Sequence, residues 1–175
     1  DNKSKRGELR RRLQEMEGEW ERAKASAKIK NDDKILSYFQ DPNGSEMWSR
    51  WDMQEFPPDI LITNYSMLNI MLMRSVEDNI FEATKQWLAQ DRVNNLFHLV
   101  VDELHTYRGT PGTEVSYLLR VFLDRIGLTP DSAQLRIIAT SASIQSDNTS
   151  LDYLEQFFGK DRNSFTVIPG YSSTF

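Results

Sequence analysis

The sequence predicts an α/β domain in which short parallel strands form a sheet flanked by helices, preceded by a helical insertion. Three observations predict it. Apolar runs rich in β-branched residues recur at 59–63, 96–101 and 135–140, the composition of strands buried in a parallel sheet. Stretches of helical periodicity lie between them, so strand and helix alternate as in a doubly wound sheet. Proline and glycine sit where helix ends need them, Pro111 just inside one predicted start and Gly127 and Gly159 just past two predicted ends.

In chain order, Leu9, Leu13, Met16, Trp20, Ala23 and Ala27 recur at steps of four and three and form one stripe of a helix. Whether that stripe meets a second copy or the core is left open by the pattern. Residues 1–30 hold ten Lys/Arg against six Asp/Glu, a local +4, and residues 31–175 hold eleven against twenty, a local −9. The basic stretch reads as a solvated helix face able to meet phosphates. Between 41 and 58, Pro42, Asn43, Gly44, Ser45, Pro57 and Pro58 surround Trp48 and Trp51, the composition of a loop holding a short ordered turn. Residues 1–58 are therefore expected to form a helical insertion and residues 59–175 the α/β core.

Within the core, Asp59-Ile-Leu-Ile-Thr63 is the first expected strand, followed by a helix starting near Ser66. Val76, Ile80, Thr84, Trp87 and Leu88 share one face of the next helix, and Leu96 to Val101 is the second strand. Val115, Leu118, Leu119, Phe122, Leu123 and Ile126 line another helix, with Thr110 as its expected N-cap. Leu135 to Thr140 is the third strand, Ser150 to Phe158 the last helix, and Phe165 to Ile168 a final short strand.

Composition excludes several classes. Hydrophobic residues at 39% and charged residues at 27% are those of a globular domain, and no apolar run approaches the roughly 20 residues that span a bilayer. With no cysteine there is neither a disulfide framework nor a thiolate metal site. Nothing at the N-terminus has the apolar centre of a signal peptide, so a cytoplasmic location without a membrane partner is expected.

The chemistry concentrates in Leu99-Val-Val-Asp-Glu-Leu-His-Thr-Tyr-Arg-Gly109. An apolar strand ending in Asp102-Glu103 delivers two carboxylates to the carboxyl edge of a sheet, where open α/β folds bind their ligands. An Asp-Glu pair at a strand end can equally be a polar cap on an apolar run. His105 lies two residues further on, and Ser141-Ala142-Ser143 follows the third strand, 36 positions beyond His105, room for one crossover helix. Upstream, Pro58-Asp-Ile-Leu-Ile-Thr-Asn-Tyr-Ser-Met-Leu68 ends a strand in Thr63 and Asn64, ahead of a helix N-terminus able to donate to a phosphate.

Together these segments resemble the first RecA-like domain of a DEAD/DEAH-box, superfamily-2 helicase. The longer string Val101 to Gly109, with Gly112-Thr-Glu-Val and Leu118-Leu119-Arg120, is similar to bacterial DNA helicases that carry a C-terminal domain of unknown function. The resemblance covers residues 58–170 and hardly touches residues 1–57. It implies a P-loop NTPase type of sheet, with Asp102 as ligand to Mg²⁺ bound with ATP and Glu103 as the base that activates water. It further implies coupling roles for His105, Ser141, Ala142 and Ser143, and nucleic-acid contact, DNA rather than RNA, through Thr63, Asn64 and Arg108, with Tyr107 beside it. The family usually has Thr-Pro where this chain has Thr63-Asn64.

No Gly-x-x-x-x-Gly-Lys-Ser/Thr segment occurs in the sequence, so the lysine and backbone cradle for β- and γ-phosphates are missing. The resemblance also implies a second RecA-like domain, which is not here either. The chain is thus expected to be an inactive fragment whose partners are nucleic acid and the missing parts of the same helicase. The competing expectation is an inactive helicase-like module that binds protein or nucleic acid.

Overall fold

A computed structural model describes residues 2–47 and 49–170, with residues 2–6 and Leu9 described in their backbone alone; the side chain of Leu9, placed on the stripe, and Trp48 thus lie outside the described residues. The chain divides into two compact units, residues 1–52 and 53–175.

In the first unit, helix α1 runs Asn2–Lys30 and is followed by a 3-10 turn, Asp33–Tyr38, that packs back on it. Trp20, Ala23 and Ala27 of the predicted stripe are buried, and Leu13 and Met16 are half-buried. The basic residues Arg10, Arg11 and Arg12 are exposed, with Arg11 and Arg12 3.6 and 3.5 Å from Glu15 and Glu8. Such exposed pairs contribute only a few tenths of a kcal/mol (about 0.3–0.5) each. Helix α2, Arg50–Glu55, is the ordered turn expected in the 41–58 loop.

The second unit is α/β. Its elements are α3 (Tyr65–Met73), α4 (Asp78–Gln90), β1 (Phe97–Val101), α5 (Thr110–Arg125), β2 (Leu135–Ala139) and α6 (Asn148–Phe158). β1 and β2 pair in parallel, Phe97 opposite Leu135 through Val101 opposite Ala139, with α5 as the crossover. The core gathers on one face of this sheet. Val101 and Leu135 are buried there, with Phe97, Leu99 and Ile137 packed alongside. They meet Phe81 and Leu88 of α4, Leu119, Phe122 and Leu123 of α5, and Phe157 and Phe158 of α6. Phe122 touches Phe81 and Phe97 at ring-centroid distances of 6.2 and 5.7 Å.

Polar bolts fix the helices. The Gln134 side-chain amide donates to the carbonyls of Leu88 (2.9 Å) and Asn95 (2.8 Å), tying the end of α4 to the start of β2. The buried Ser116 hydroxyl donates to the Phe157 carbonyl (2.6 Å), and Arg120 donates to that hydroxyl and to the Gln156 carbonyl (2.8 Å). A guanidinium on the last carbonyls of α6 also complements that helix's dipole.

Several expectations need correction. Residues 59–63 and 165–168 form no strand, because a strand exists as a ladder and neither segment pairs with another among the described residues. Ile60 and Ile62 are consequently 81% and 93% exposed, while Leu61 between them packs on the core. Among the described residues helices cover one sheet face, so the doubly wound arrangement is not reached; paired His98 and Arg136, and Val100 and Ile138, are exposed on the other. In α4 the buried side is Ile80, Phe81 and Leu88; Val76 precedes the helix and is exposed, as is Trp87. The caps sit one or two residues earlier than expected. Asn64, not Ser66, caps α3, accepting from the Met67 N–H (2.8 Å), and Gly109, not Thr110, precedes α5 with φ 68°. No helix among the described residues is long and apolar enough to cross a membrane.

Candidate active site at the carboxyl ends of two parallel strands

The register ends with Val101 opposite Ala139, so Asp102 and Thr140 follow directly on adjacent strands. Thr140 N–H donates to the Val101 carbonyl (3.0 Å) and the Thr140 carbonyl accepts from Leu104 N–H (2.8 Å). The Thr140 hydroxyl donates to Asp102 Oδ1 and accepts from the Glu103 N–H at 3.0 Å. Asp102 Oδ2 makes no hydrogen bond among the described residues.

Glu103 stands in the left-handed region, φ 51° and ψ 45°. For a residue with a Cβ this costs about 1–2 kcal/mol and persists only where the surroundings enforce it. Here the enforcers are the Thr140 hydroxyl on its N–H and a 3-10 turn, Leu104–Thr106, whose Thr106 N–H and hydroxyl both donate to the Glu103 carbonyl (2.9 and 2.8 Å). Leu104 is fully buried and anchors the turn. The strained backbone turns the acidic pair off the strand, leaving both Asp102 and Glu103 exposed.

His105 Nδ1 lies 3.2 Å from Glu103 Oε2 and 3.5 Å from Ala142 N. One nitrogen cannot serve both, since donating to the carboxylate removes the lone pair that Ala142 would use. We assign the proton to Nδ1, because the carboxylate contact is shorter and charge-assisted, whereas 3.5 Å is marginal for the amide. His105 thus touches both motifs. Arg108 joins them a second time, donating to Ser143 Oγ at 3.0 Å with its guanidinium 5.8 Å from the Tyr153 ring centroid. Ser143 N–H donates to Ser141 Oγ (3.3 Å), which closes the Ser-Ala-Ser turn on itself.

Beneath the loop, the Tyr153 hydroxyl donates to the Tyr107 carbonyl (2.6 Å), and burial pushes its pKa up, partly opposed by Arg108. Tyr107 stacks on Phe157 at 6.2 Å. Gly112 is buried against the same carbonyl: a Cβ there would stand 2.1 Å from Tyr107 O.

Asp102, Glu103, His105, Arg108, Ala142 and Ser143 are therefore brought together, with Ser141 adjoining. Thr63 and Asn64 are exposed and, among the described residues, share no hydrogen bond with them; the Asn64 side chain caps α3, and the Thr63 hydroxyl donates to the Asn64 carbonyl at 3.3 Å. Arg108, expected to contact nucleic acid, is exposed and donates to Ser143 within the chain. Sequence reasoning missed Thr140. The signal available was a hydroxyl residue ending the strand next to the acidic one, but its use depends on a register that composition does not reveal.

No group of three or more His, Cys, Asp or Glu side chains gathers as a metal cage among the described residues. Asp102 and Glu103 offer two carboxylates beside a hydroxyl, an all-oxygen donor set. Magnesium commonly takes one or two protein carboxylates and completes its shell from phosphates and water, so this donor set fits it.

No protein-family model matches the chain, and no solved structure matches it. Among curated proteins the chain is similar to Druantia protein DruE of Escherichia coli (strain UMEA 4076-1), 42% identical over 132 residues that make up 74% of this chain but 7% of that protein.

Proposed function

We propose that this chain is the carboxylate-bearing part of a RecA-like ATPase domain in a larger ATP-dependent nucleic-acid motor, a helicase acting on DNA. One observation carries the reading: two loops at the carboxyl ends of adjacent parallel strands are joined by side chains three times, the Thr140 hydroxyl to Asp102 Oδ1 and to the Glu103 N–H, and Arg108 to Ser143. Chance matches to two short motifs would not be expected to meet in this way.

Magnesium, when bound with ATP, would neutralise charge on the phosphates. Asp102 would hold it through Oδ2, and Glu103 would accept the proton of the attacking water, with His105 orienting the Glu103 carboxylate. The Thr140 and Arg108 links make the Ser141–Ser143 loop responsive to what happens at the carboxylates, which is the property a motor needs to turn hydrolysis into movement. DNA is preferred over RNA from family resemblance alone.

That the chain is part of something longer is supported by three features. It lacks a phosphate-binding loop, it spans 7% of DruE, and one face of its parallel sheet is exposed although such sheets are ordinarily covered on both faces. Ile60, Ile62, Val100 and Ile138 would then be covered by the remainder of the domain.

The missing phosphate loop also favours a second reading, a helicase-like module that binds without hydrolysing. ATPase assays on the full-length protein, with and without single-stranded DNA or RNA, decide between them. Turnover stimulated by DNA supports the motor; nucleic-acid binding with no turnover under any condition supports the module.

A further inference from the structure

The side chain that bonds both acidic residues, one at its carboxylate and the other at its backbone N–H, belongs to neither of the motifs that suggested the site. Thr140 makes two kinds of bond. Its backbone N–H donates to the Val101 carbonyl and its carbonyl accepts from Leu104 N–H, a contribution any residue with a backbone N–H would make. Its hydroxyl does something specific, accepting from Glu103 N–H while donating to Asp102 Oδ1. A hydroxyl both donates and accepts, and on a side chain this short only Ser or Thr brings both to one point.

The consequences differ for the two acids. Asp102 has one oxygen held and the other directed elsewhere, which fixes the carboxylate's rotation about its last bond. Glu103 has its N–H pinned while its backbone stands in the left-handed region, so the direction in which the carboxylate leaves the chain is set by the same hydroxyl. Both effects pass through one atom on the strand that leads directly into Ser141.

We propose that Thr140 is a positioning residue for both acids: its hydroxyl aims Asp102 at a divalent metal and holds the Glu103 backbone that aims the base, so that any shift of β2's end is transmitted to the two carboxylates at once. This rests on the ATPase reading above and adds to it a residue outside the expected motifs. Partners that orient a metal ligand change metal affinity by roughly 10–100-fold when removed.

Thr140→Val keeps the shape and removes the hydroxyl; Thr140→Ser restores it. Two measurements on the full-length protein test the assignment. Site-resolved hydrogen–deuterium exchange should show protection lost at the Glu103 amide in Thr140→Val, by on the order of tenfold, but retained at the Leu104 amide, whose acceptor is the backbone carbonyl of residue 140. Mn²⁺ binding in the presence of ATP, followed by electron paramagnetic resonance, should weaken on the order of tenfold and recover in Thr140→Ser. Unchanged Glu103 protection, equal loss at both amides, or unchanged Mn²⁺ affinity would each overturn the proposal. If the wild type binds no Mn²⁺–ATP, the ATPase reading fails, and with it the metal-aiming role; selective loss at Glu103 would then support only the backbone role.

Discussion

Replacing Gly112 by alanine should destabilise the second unit, against the direction that helix propensity dictates. Gly112 lies in the first turn of α5, where alanine would ordinarily add about 0.5–1 kcal/mol of stability. Here the new Cβ would stand 2.1 Å from the Tyr107 carbonyl oxygen and 2.7 Å from its carbon. An ordinary C···O contact is about 3.3 Å even when close, so backbone must move by roughly 1 Å. That backbone is not free to yield: the same oxygen accepts from Tyr153, the Tyr107 ring stacks on Phe157, and the next residue bonds Ser143. Overpacking of this kind costs about 1–3 kcal/mol, and at about 2–4 °C per kcal/mol for a chain of this size Tm should fall by roughly 2–12 °C. The control is Gly18→Ala in α1, where a Cβ meets only the tip of the Arg22 side chain at 3.5 Å, and stability should be unchanged or raised. Thermal unfolding of the two variants beside the wild type is the assay. A Gly112→Ala chain as stable as the wild type would refute the close approach of α5 to Tyr107, and with it the rigidity claimed for the loop carrying Arg108.

Other outcomes follow from the same geometry. Glu103→Gly relieves a left-handed backbone and should raise stability by about 1 kcal/mol in urea unfolding while abolishing hydrolysis in the full-length protein; a loss of stability would mean the Glu103 conformation is not strained. Asn64→Ala removes the cap of α3 and should cost about 1 kcal/mol, with Asn64→Asp retaining most of it, as read by the same unfolding curves. Asp147 caps α6, and the Ser150 N–H and hydroxyl hold its carboxyl below the ordinary 3.8. A depressed folded value means the contribution is present above the unfolded pKa and lost as pH falls through the folded one. As pH falls below about 4, thermal stability should therefore fall less steeply in Asp147→Asn, which caps without titrating; equal slopes would remove Asp147 from the acid transition.

The elements most legible in the sequence were those whose stabilisation is local or continuous. The runs ending at Val101 and Thr140 became β1 and β2 because their side chains meet a core and their backbones meet each other. Residues 59–63 have the same composition but no ladder partner among the described residues, a distinction composition cannot express. Helix ends were readable from Gly127 and Gly159, both at positive φ. The helix faces were less so: Trp87 fits the α4 period yet is exposed, and Phe81, off the predicted face, is buried, because the sheet and α5 decide which side turns inward. At the site, Asp102 and Glu103 announced themselves by following an apolar run. Thr140 did not, since its value lies in the parallel register; nor did the inward engagement of Arg108, which depends on where α6 brings Tyr153.

In the proposed ATPase, Glu103 activates water at a nucleotide held beside Asp102. Measuring Mg²⁺–ATP binding and hydrolysis by the full-length protein with Glu103→Gln tests it most directly, because the amide preserves size and removes the base. Binding should stay close to that of the wild type, with hydrolysis lower by roughly 10²-fold or more. Hydrolysis at the wild-type rate in the variant would contradict it.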